Sequence, residues 1–322
     1  MENNKIFLIL EKYNIIPMEA DLIPDATGIG DILFRLLCIK YKLITKPFFF
    51  CLNYFLKPYY SSDPIPHLEF RINLINEILD SNEISKDKVI YFFTNSKDYV
   101  VNQYLPYKEV FNYSLNLKID NDYEEDDYII FHTKCRHTNQ MNYLIFKKNI
   151  KLFCEIFKSK YKIIIMGERV FPITEEVIVH GITTVYDEFL GLKNNNNVID
   201  LTCENIYNNL NYEMYKNDIK IIKKAKYNIC FGIGGQFCSS LVFGKSTILY
   251  CMNNIFNLNK YFFEKNDNYQ TENINYFFNF IENKCGIKNQ VCYDLKNNNL
   301  KNNNLKNNNL KNKKPRLLLT FN

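Results

Sequence analysis

Continuous apolar stretches in the second half of the chain constrain its fold more than any other feature. They occupy residues 128–133, 161–166, 227–233 and 246–251, and a typical one reads Tyr-Lys-Ile-Ile-Ile-Met. These runs lack the polar alternation of a strand with one wet face, which indicates strands buried on both faces. Amphipathic helical patterns lie between them, at residues 141–160, 212–225 and 236–243. Buried strands separated by helices predict a parallel sheet covered by helices on both sides.

The first half repeats this alternation on a smaller scale. Strand patterns occupy residues 5–10, 47–53 and 89–94, and helical patterns occupy 31–43 and 67–80. A further strand at 197–202 and a closing helix at 274–283 complete the second half. An acidic run at 120–127 separates the halves, and 322 residues exceed the usual size of one core. We therefore predict an α/β protein of two Rossmann-like parallel-sheet domains, residues 1–122 and 123–294, that face a cleft.

The C-terminal 28 residues differ in character from the rest of the chain. Residues 295–312 repeat Leu-Lys-Asn-Asn-Asn, a period that suits neither a helix nor a strand and offers little apolar surface. We expect a disordered tail over 295–322. Its seven basic residues, with no acidic ones, carry more positive charge than the net +5 of the whole chain. Residues 1–294 therefore have a slightly negative net charge. This distribution argues against a specific nucleic-acid partner.

Cysteine usage and the N-terminus bear on location. The ten cysteines form no Cys-x-x-Cys pair, which argues against a zinc site or a disulfide scaffold. The N-terminal apolar run of about five residues is too short for a signal peptide or a membrane span. We expect a cytoplasmic protein without a transmembrane segment.

A glycine turn opens the first predicted helix, where Gly28 and Gly30 precede Asp31. Two glycines let a backbone approach a ligand, and a helix start presents free N–H groups to an anion. The alternative is a tight turn in which Asp31 caps the helix. A dinucleotide fingerprint requires a third glycine at position 33, where this chain has Leu33.

A second glycine turn directly follows the strand at 227–233. Gly234 and Gly235 lead into a short helix that begins near Gln236 and carries Ser239 in its first turns. A strand, a glycine turn and a helix form the geometry that holds phosphate groups. We predict an anion site at this turn.

Polar residues follow two other strands. His132, Lys134 and Arg136 follow the strand at 128–133, and these potentially cationic groups suit a diphosphate. A solvated loop is the alternative, and the lack of a nearby carboxylate disfavours a metal site. Glu168 and Arg169 follow the strand at 161–166, where they suit a ribose hydroxyl and a phosphate or, alternatively, form a surface ion pair.

Taken in order, these pieces resemble the heptosyltransferase-like glycosyltransferase family 9, which has the GT-B fold. The resemblance covers roughly residues 27–251 and is strongest after residue 128. It depends on the glycine–aspartate turn ending at Asp31, the strand and basic loop near Lys134, and the glycine–glutamate turn at Glu168. It also includes the Leu-Thr strand end at Thr202 and the nucleotide-binding segment at 225–250. The family usually has Asp-Thr-Gly and then a histidine in this segment, where this chain has Ile233, Gly234, Gly235 and Cys238. The aspartate and the histidine are therefore absent.

The resemblance implies a sugar transfer from a nucleoside diphosphate donor to an acceptor hydroxyl, without a metal or another cofactor. Asp31 would be the general base. Residues 1–122 would bind the acceptor and 123–294 the nucleotide sugar. The remaining candidate residues would bind the donor: Gly28, Gly30, His132, Lys134, Arg136, Glu168, Arg169, Gly234, Gly235, Gln236 and Ser239. Two alternatives stay open, a catalytically inactive GT-B-like binding protein and a sugar-nucleotide epimerase on the same scaffold.

Overall fold

The structure is a computed structural model. It describes residues 16–17, 29–43, 48–53, 65–94, 113–119, 126–136, 140–171, 182–192, 196–204, 211–232, 234–250, 269–271 and 282–287. The predicted strand at 5–10 and the tail at 295–322 lie outside these residues. The predicted helix at 274–283 is described only at its last two residues, which are helical.

A small parallel sheet forms in the first part of the chain. Its strands are β1 (Ile16–Pro17), β2 (Phe48–Asn53) and β3 (Val89–Thr94), with β3 between the other two. Helix α1 (Ile29–Lys40) has Asp31 in its first turn and Lys40 in its last, which matches the helix dipole at both ends. Helix α2 (Ile65–Ser81) lies between β2 and β3 in the chain.

The second part forms a larger sheet with its own helices. Its elements are β4 (Asp126–Arg136), α3 (Gln140–Phe157), β5 (Lys162–Met166), β6 (Ile182–Thr184), β7 (Val198–Asp200), α4 (Tyr212–Lys224), β8 (Ala225–Phe231), α5 (Gly235–Phe243), β9 (Thr247–Tyr250) and β10 (Tyr269–Thr271). Helix α4 is capped by Asn211, whose side chain accepts from the backbone N of Glu213 at 2.8 Å.

Six strands of the larger sheet are parallel, in the order β7-β5-β4-β8-β9-β10. Numbered along the chain, these strands follow the order 3-2-1-4-5-6 of the Rossmann fold. The short strand β6 pairs antiparallel with the end of β4. The winding direction therefore reverses between β4 and β8, and the carboxyl ends of these two strands are the topological switch point where such sheets bind ligands.

Each face of the larger sheet packs against its own hydrophobic cluster. On one face, Phe131 and Ile165 pack with Phe153 and Phe157 of α3. The other cluster contains alternate residues of the same strands, with side chains from α1, α2, α4 and α5. This second cluster extends from the larger sheet to Val89 of β3. The helices α1 and α2 therefore share a core with the larger sheet, and the domain boundary at 122 stays a prediction.

The sequence patterns located most elements within three residues of their observed ends. The strand at 89–94 has the predicted bounds, and the helix predicted at 67–80 extends over Ile65–Ser81. The strands β1, β6 and β10 were not predicted. The parallel sheet confirms the α/β class, whereas the arrangement of two lobes around a cleft stays a prediction. In the described part of the chain, no helix has the length and apolar character needed to cross a membrane.

Candidate functional site

An irregularity in β4 shapes the switch point. The pairing of β4 with β8 shifts between Phe131 and Cys135, so four positions of β4 advance along only two of β8. The residues in this stretch are His132, Thr133 and Lys134. Irregular strand segments of this kind redirect side chains beside functional sites. Here His132 and Lys134 contact α5, whereas Thr133 donates to the backbone O of Glu168 at 2.8 Å.

The N-terminus of α5 is the first component of the site. Gly234 is the N-cap residue and has no side chain with which to cap the helix. A Cβ added to Gly234 would lie 3.5 Å from Nζ of Lys134, so the ammonium is close to this helix start. The same ammonium lies 5.6 Å from the ring centroid of Phe171. A lysine and the positive end of a helix dipole thus meet at the switch point, as an anion site requires.

A glutamine in the first turn of α5 connects the helix to two strand ends. Gln236 donates from Nε2 to Oε2 of Glu168 at 2.6 Å, and its Oε1 accepts from the backbone N of Lys134 at 3.3 Å. Glu168 is only 4% exposed. Burial raises the pKa of Glu168, and the nearby Lys134 partly opposes this shift. The glutamate predicted to bind ribose therefore has a partner within the protein.

A glycine turn delivers Glu168 to this position. Gly167 has a φ of +117°, a conformation that L side chains rarely adopt. A Cβ at Gly167 would overlap Nε2 of Gln236 and Oγ1 of Thr133. The backbone O of Glu168 also accepts from Oγ1 of Thr184 at 2.9 Å, which connects β6 to the same turn. Glycine is required here by backbone conformation and by space.

His132 differs from the prediction of a cation that faces a ligand. Its side chain is 2% exposed and lies beneath α5, where Nε2 is 2.8 Å from Oγ of Ser240. Burial lowers the pKa of His132 to about 4, so the imidazole is neutral at pH 7. The prediction counted the histidine with its basic neighbours, but its alternation with Ile130 places it on the face of the sheet that α5 covers.

Two other predicted residues have partners within the fold. Ser239 is buried, and its hydroxyl lies 2.9 Å from Oη of Tyr215 on α4. Arg169 donates from Nε to Oγ1 of Thr202 at 2.8 Å, and its Nη2 lies 3.6 Å from Oδ2 of Asp200. Their predicted contacts with a donor stay predictions.

The N-terminal glycine turn meets α5. A Cβ on Gly30 would lie 2.7 Å from Sγ of Cys238, and the Cβ position of Gly235 lies 3.7 Å from Cβ of Ile29. The first turns of α1 and α5 are therefore in contact. Asp31 belongs to the first turn of α1 and is half-buried.

For two of the predicted residues the structure gives no side-chain contacts. Gly28 lies outside the described residues. Arg136 ends β4 and pairs through its backbone with Ile182 of β6.

Two residues near the site were not predicted. Cys238 is buried at the contact between α1 and α5. Asp218 of α4 is partly buried, and desolvation together with the charge of Glu168 raises the pKa of Asp218 to about 6. In the sequence Asp218 lies among lysines, a pattern typical of a solvated helix face. Only the packing of α4 against the sheet could reveal its proximity to Glu168.

The assembled site combines the N-terminus of α5, the ammonium of Lys134, the buried carboxyl group of Glu168 and the partly buried one of Asp218. Among the residues that the structure describes, no group of three or more His, Cys, Asp or Glu side chains could hold a metal ion. Chemically, the arrangement suits an anionic group at Gly234 and a hydrogen-bond donor near Glu168. In comparisons with known proteins, no family model, curated protein or solved structure matches the chain.

Proposed function

We propose that the chain binds a nucleoside diphosphate sugar at the switch point and transfers its sugar to an acceptor hydroxyl. The observation that carries this proposal is the meeting of Lys134 with the α5 N-terminus between the carboxyl ends of β4 and β8. Rossmann-type sheets bind nucleotides at this location. The resemblance to family 9 of the glycosyltransferases, and its two-lobed GT-B arrangement, belong to the same proposal.

The diphosphate would be held by the amides of Gly234 and Gly235 and by the ammonium of Lys134. In the transfer step, the acceptor oxygen bonds to the anomeric carbon while the bond from that carbon to the diphosphate breaks. The diphosphate leaves with the electron pair and gains negative charge. Fixed positive groups stabilise this developing charge, and they do so without requiring a metal.

Asp31 would accept the proton of the acceptor hydroxyl. Its support is positional: Asp31 follows Gly30, which contacts Cys238 in the first turns of α5. A base in this place would lie near the sugar end of a diphosphate held at Gly234. The carboxylate must be ionised to accept a proton, so activity would decline at low pH.

A binding protein without catalysis is the second candidate. One observation favours it, because Cys238 occupies the position of the family's histidine and is buried against α1. A buried thiol beside Gly30 has no access to a donor phosphate. This candidate keeps the nucleotide site and lacks the transfer.

Binding is tested by thermal stabilisation with a panel of nucleoside diphosphates and nucleotide sugars, because a ligand of the folded state raises the melting temperature. The variant Lys134→Met is compared with Lys148→Met, which removes an exposed lysine of α3. We expect a selective shift that Lys134→Met reduces and Lys148→Met leaves intact. No shift at millimolar ligand, or equal loss in both variants, would refute the nucleotide site.

Product analysis then separates the candidates. With a stabilising nucleotide sugar and a panel of acceptor sugars, a transferase releases free nucleoside diphosphate, and Asp31→Asn abolishes this release while binding persists. An epimerase would return an altered sugar still attached to its nucleotide. Binding with neither product identifies the binding protein.

A further inference from the structure

A buried polar group lies directly beneath α5. It consists of His132 from β4, Asn228 from β8 and Ser240 from α5, which are 2%, 0% and 0% exposed. The His132–Ser240 bond at 2.8 Å joins the larger sheet to the second turn of the helix. Buried polar groups are costly unless they are hydrogen-bonded, so this bond selects a particular placement of α5.

The same stretch of β4 contacts α5 at three points along the helix. Lys134 reaches the helix start with its side chain at Gly234 and bonds Gln236 through its backbone. His132 contacts Ser240, six residues beyond Gly234, which is roughly 9 Å along a helix. A sliding of α5 along its axis that breaks the bond at Ser240 therefore also shifts Gly234 relative to Lys134.

The protonation state of His132 suits this role. Because burial keeps the imidazole neutral at pH 7, it carries one N–H group and one acceptor nitrogen. Asn228 donates from Nδ2 to the backbone O of Ile222 at 3.2 Å, and its buried Oδ1 remains as an acceptor near the histidine. Either tautomer of the neutral ring can form the bond between Nε2 and the hydroxyl of Ser240, as acceptor or as donor.

We propose that His132 is a positioning residue. Its bond to Ser240 holds α5 in the place where the Gly234–Gly235 amides and the Lys134 ammonium bind the same phosphate group. This inference rests on the nucleotide site proposed above. His132 itself does not touch the ligand. Its effect on binding passes through the helix, and depends on Lys134.

The test compares two variants that each remove one hydroxyl and one buried hydrogen bond. Ser240→Ala breaks the bond to His132. Tyr250→Phe breaks the 3.1 Å bond in which Asn149 donates to Oη of Tyr250, and Tyr250 belongs to the cluster on the opposite face of the sheet. Both variants are expected to lower the melting temperature without ligand, since each leaves one buried partner unsatisfied. The probe is inorganic pyrophosphate, with its Kd measured by calorimetry.

We expect Ser240→Ala to raise the Kd for pyrophosphate about tenfold, whereas Tyr250→Phe changes it less than about twofold. In a Lys134→Met background, Ser240→Ala should have less than about a twofold effect, because the two residues act on one phosphate. Equal Kd values for Ser240→Ala and Tyr250→Phe, or independent effects of Ser240→Ala and Lys134→Met, would overturn the positioning role alone. If the unmodified protein binds neither pyrophosphate nor any nucleotide, both this inference and the proposed function fail.

Discussion

Replacing Gly167 by alanine tests the turn that brings Glu168 to α5. At a φ of +117°, an alanine is strained whatever space surrounds it. Its Cβ would also overlap Gln236 and Thr133, which hold the strand ends together through hydrogen bonds to Glu168. Backbone strain and crowding therefore act in the same direction.

The magnitude follows from these two effects. A residue held in a sparsely populated backbone region costs about 1–3 kcal/mol. Crowding in a packed interior costs a further 1–3 kcal/mol or so. With both near the middle of their ranges, Gly167→Ala lowers the free energy of unfolding by roughly 4 kcal/mol, or the melting temperature by roughly 6 °C.

Gly191 supplies the matched control. It lies in the 3-10 helix Tyr186–Leu192, and a Cβ there meets nothing within 4 Å. Gly191→Ala should therefore change stability by no more than about 0.5 kcal/mol. Urea denaturation of both variants and the unmodified protein gives the comparison. Equal stabilities of Gly167→Ala and Gly191→Ala would refute the reasoning.

Two further predictions concern charge and packing. The pKa of Asp218 is raised to about 6, so the folded state holds this proton more tightly than the unfolded state, and stability falls as pH rises from about 4 to 6. The free energy of unfolding of Asp218→Asn should therefore exceed that of the unmodified protein by about 1–2 kcal/mol at pH 8, with no difference below pH 4. Urea denaturation of both proteins at the two pH values checks this, and a difference in stability that is the same at both would contradict it. Gly30→Ala should cost about 1–3 kcal/mol because its Cβ meets Sγ of Cys238, and less than about 1 kcal/mol in a Cys238→Ala background. Additive effects in that double-mutant cycle would contradict the contact.

The strands that are buried on both faces were predictable, because their sequences are continuous apolar runs. The pattern at 89–94 gave the observed strand because nearly every residue is apolar or aromatic. By contrast, Ile182–Thr184 has only three residues and forms a strand through its antiparallel pairing with the end of β4. Tyr269–Thr271 likewise depends on pairing with β9. Short strands are determined by distant partners, which local patterns do not contain.

Part of the candidate site was predictable for a topological reason. Parallel strands bring their carboxyl ends to one edge, and the patterns place Lys134 and Glu168 at the ends of two such strands, which the structure brings close together. The partner of Glu168 was not predictable, because the bond from Gln236 depends on the turn at Gly167 and on the placement of α5. The burial of His132 was predictable in part, since it belongs to a strand predicted to be buried on both faces.

The contact between α1 and α5 determines how the proposed site can work. Leu33 and Leu37 of α1 belong to the same hydrophobic cluster as Leu241 and Val242 of α5. Separating the two helices would expose these side chains, at about 1.5–3 kcal/mol for each one fully exposed. The first turn of α1, which contains Asp31, is therefore held against the helix that starts at the proposed anion site. A catalytic role for Asp31 would then rely on groups fixed in advance rather than on the approach of α1 to α5 when a donor binds.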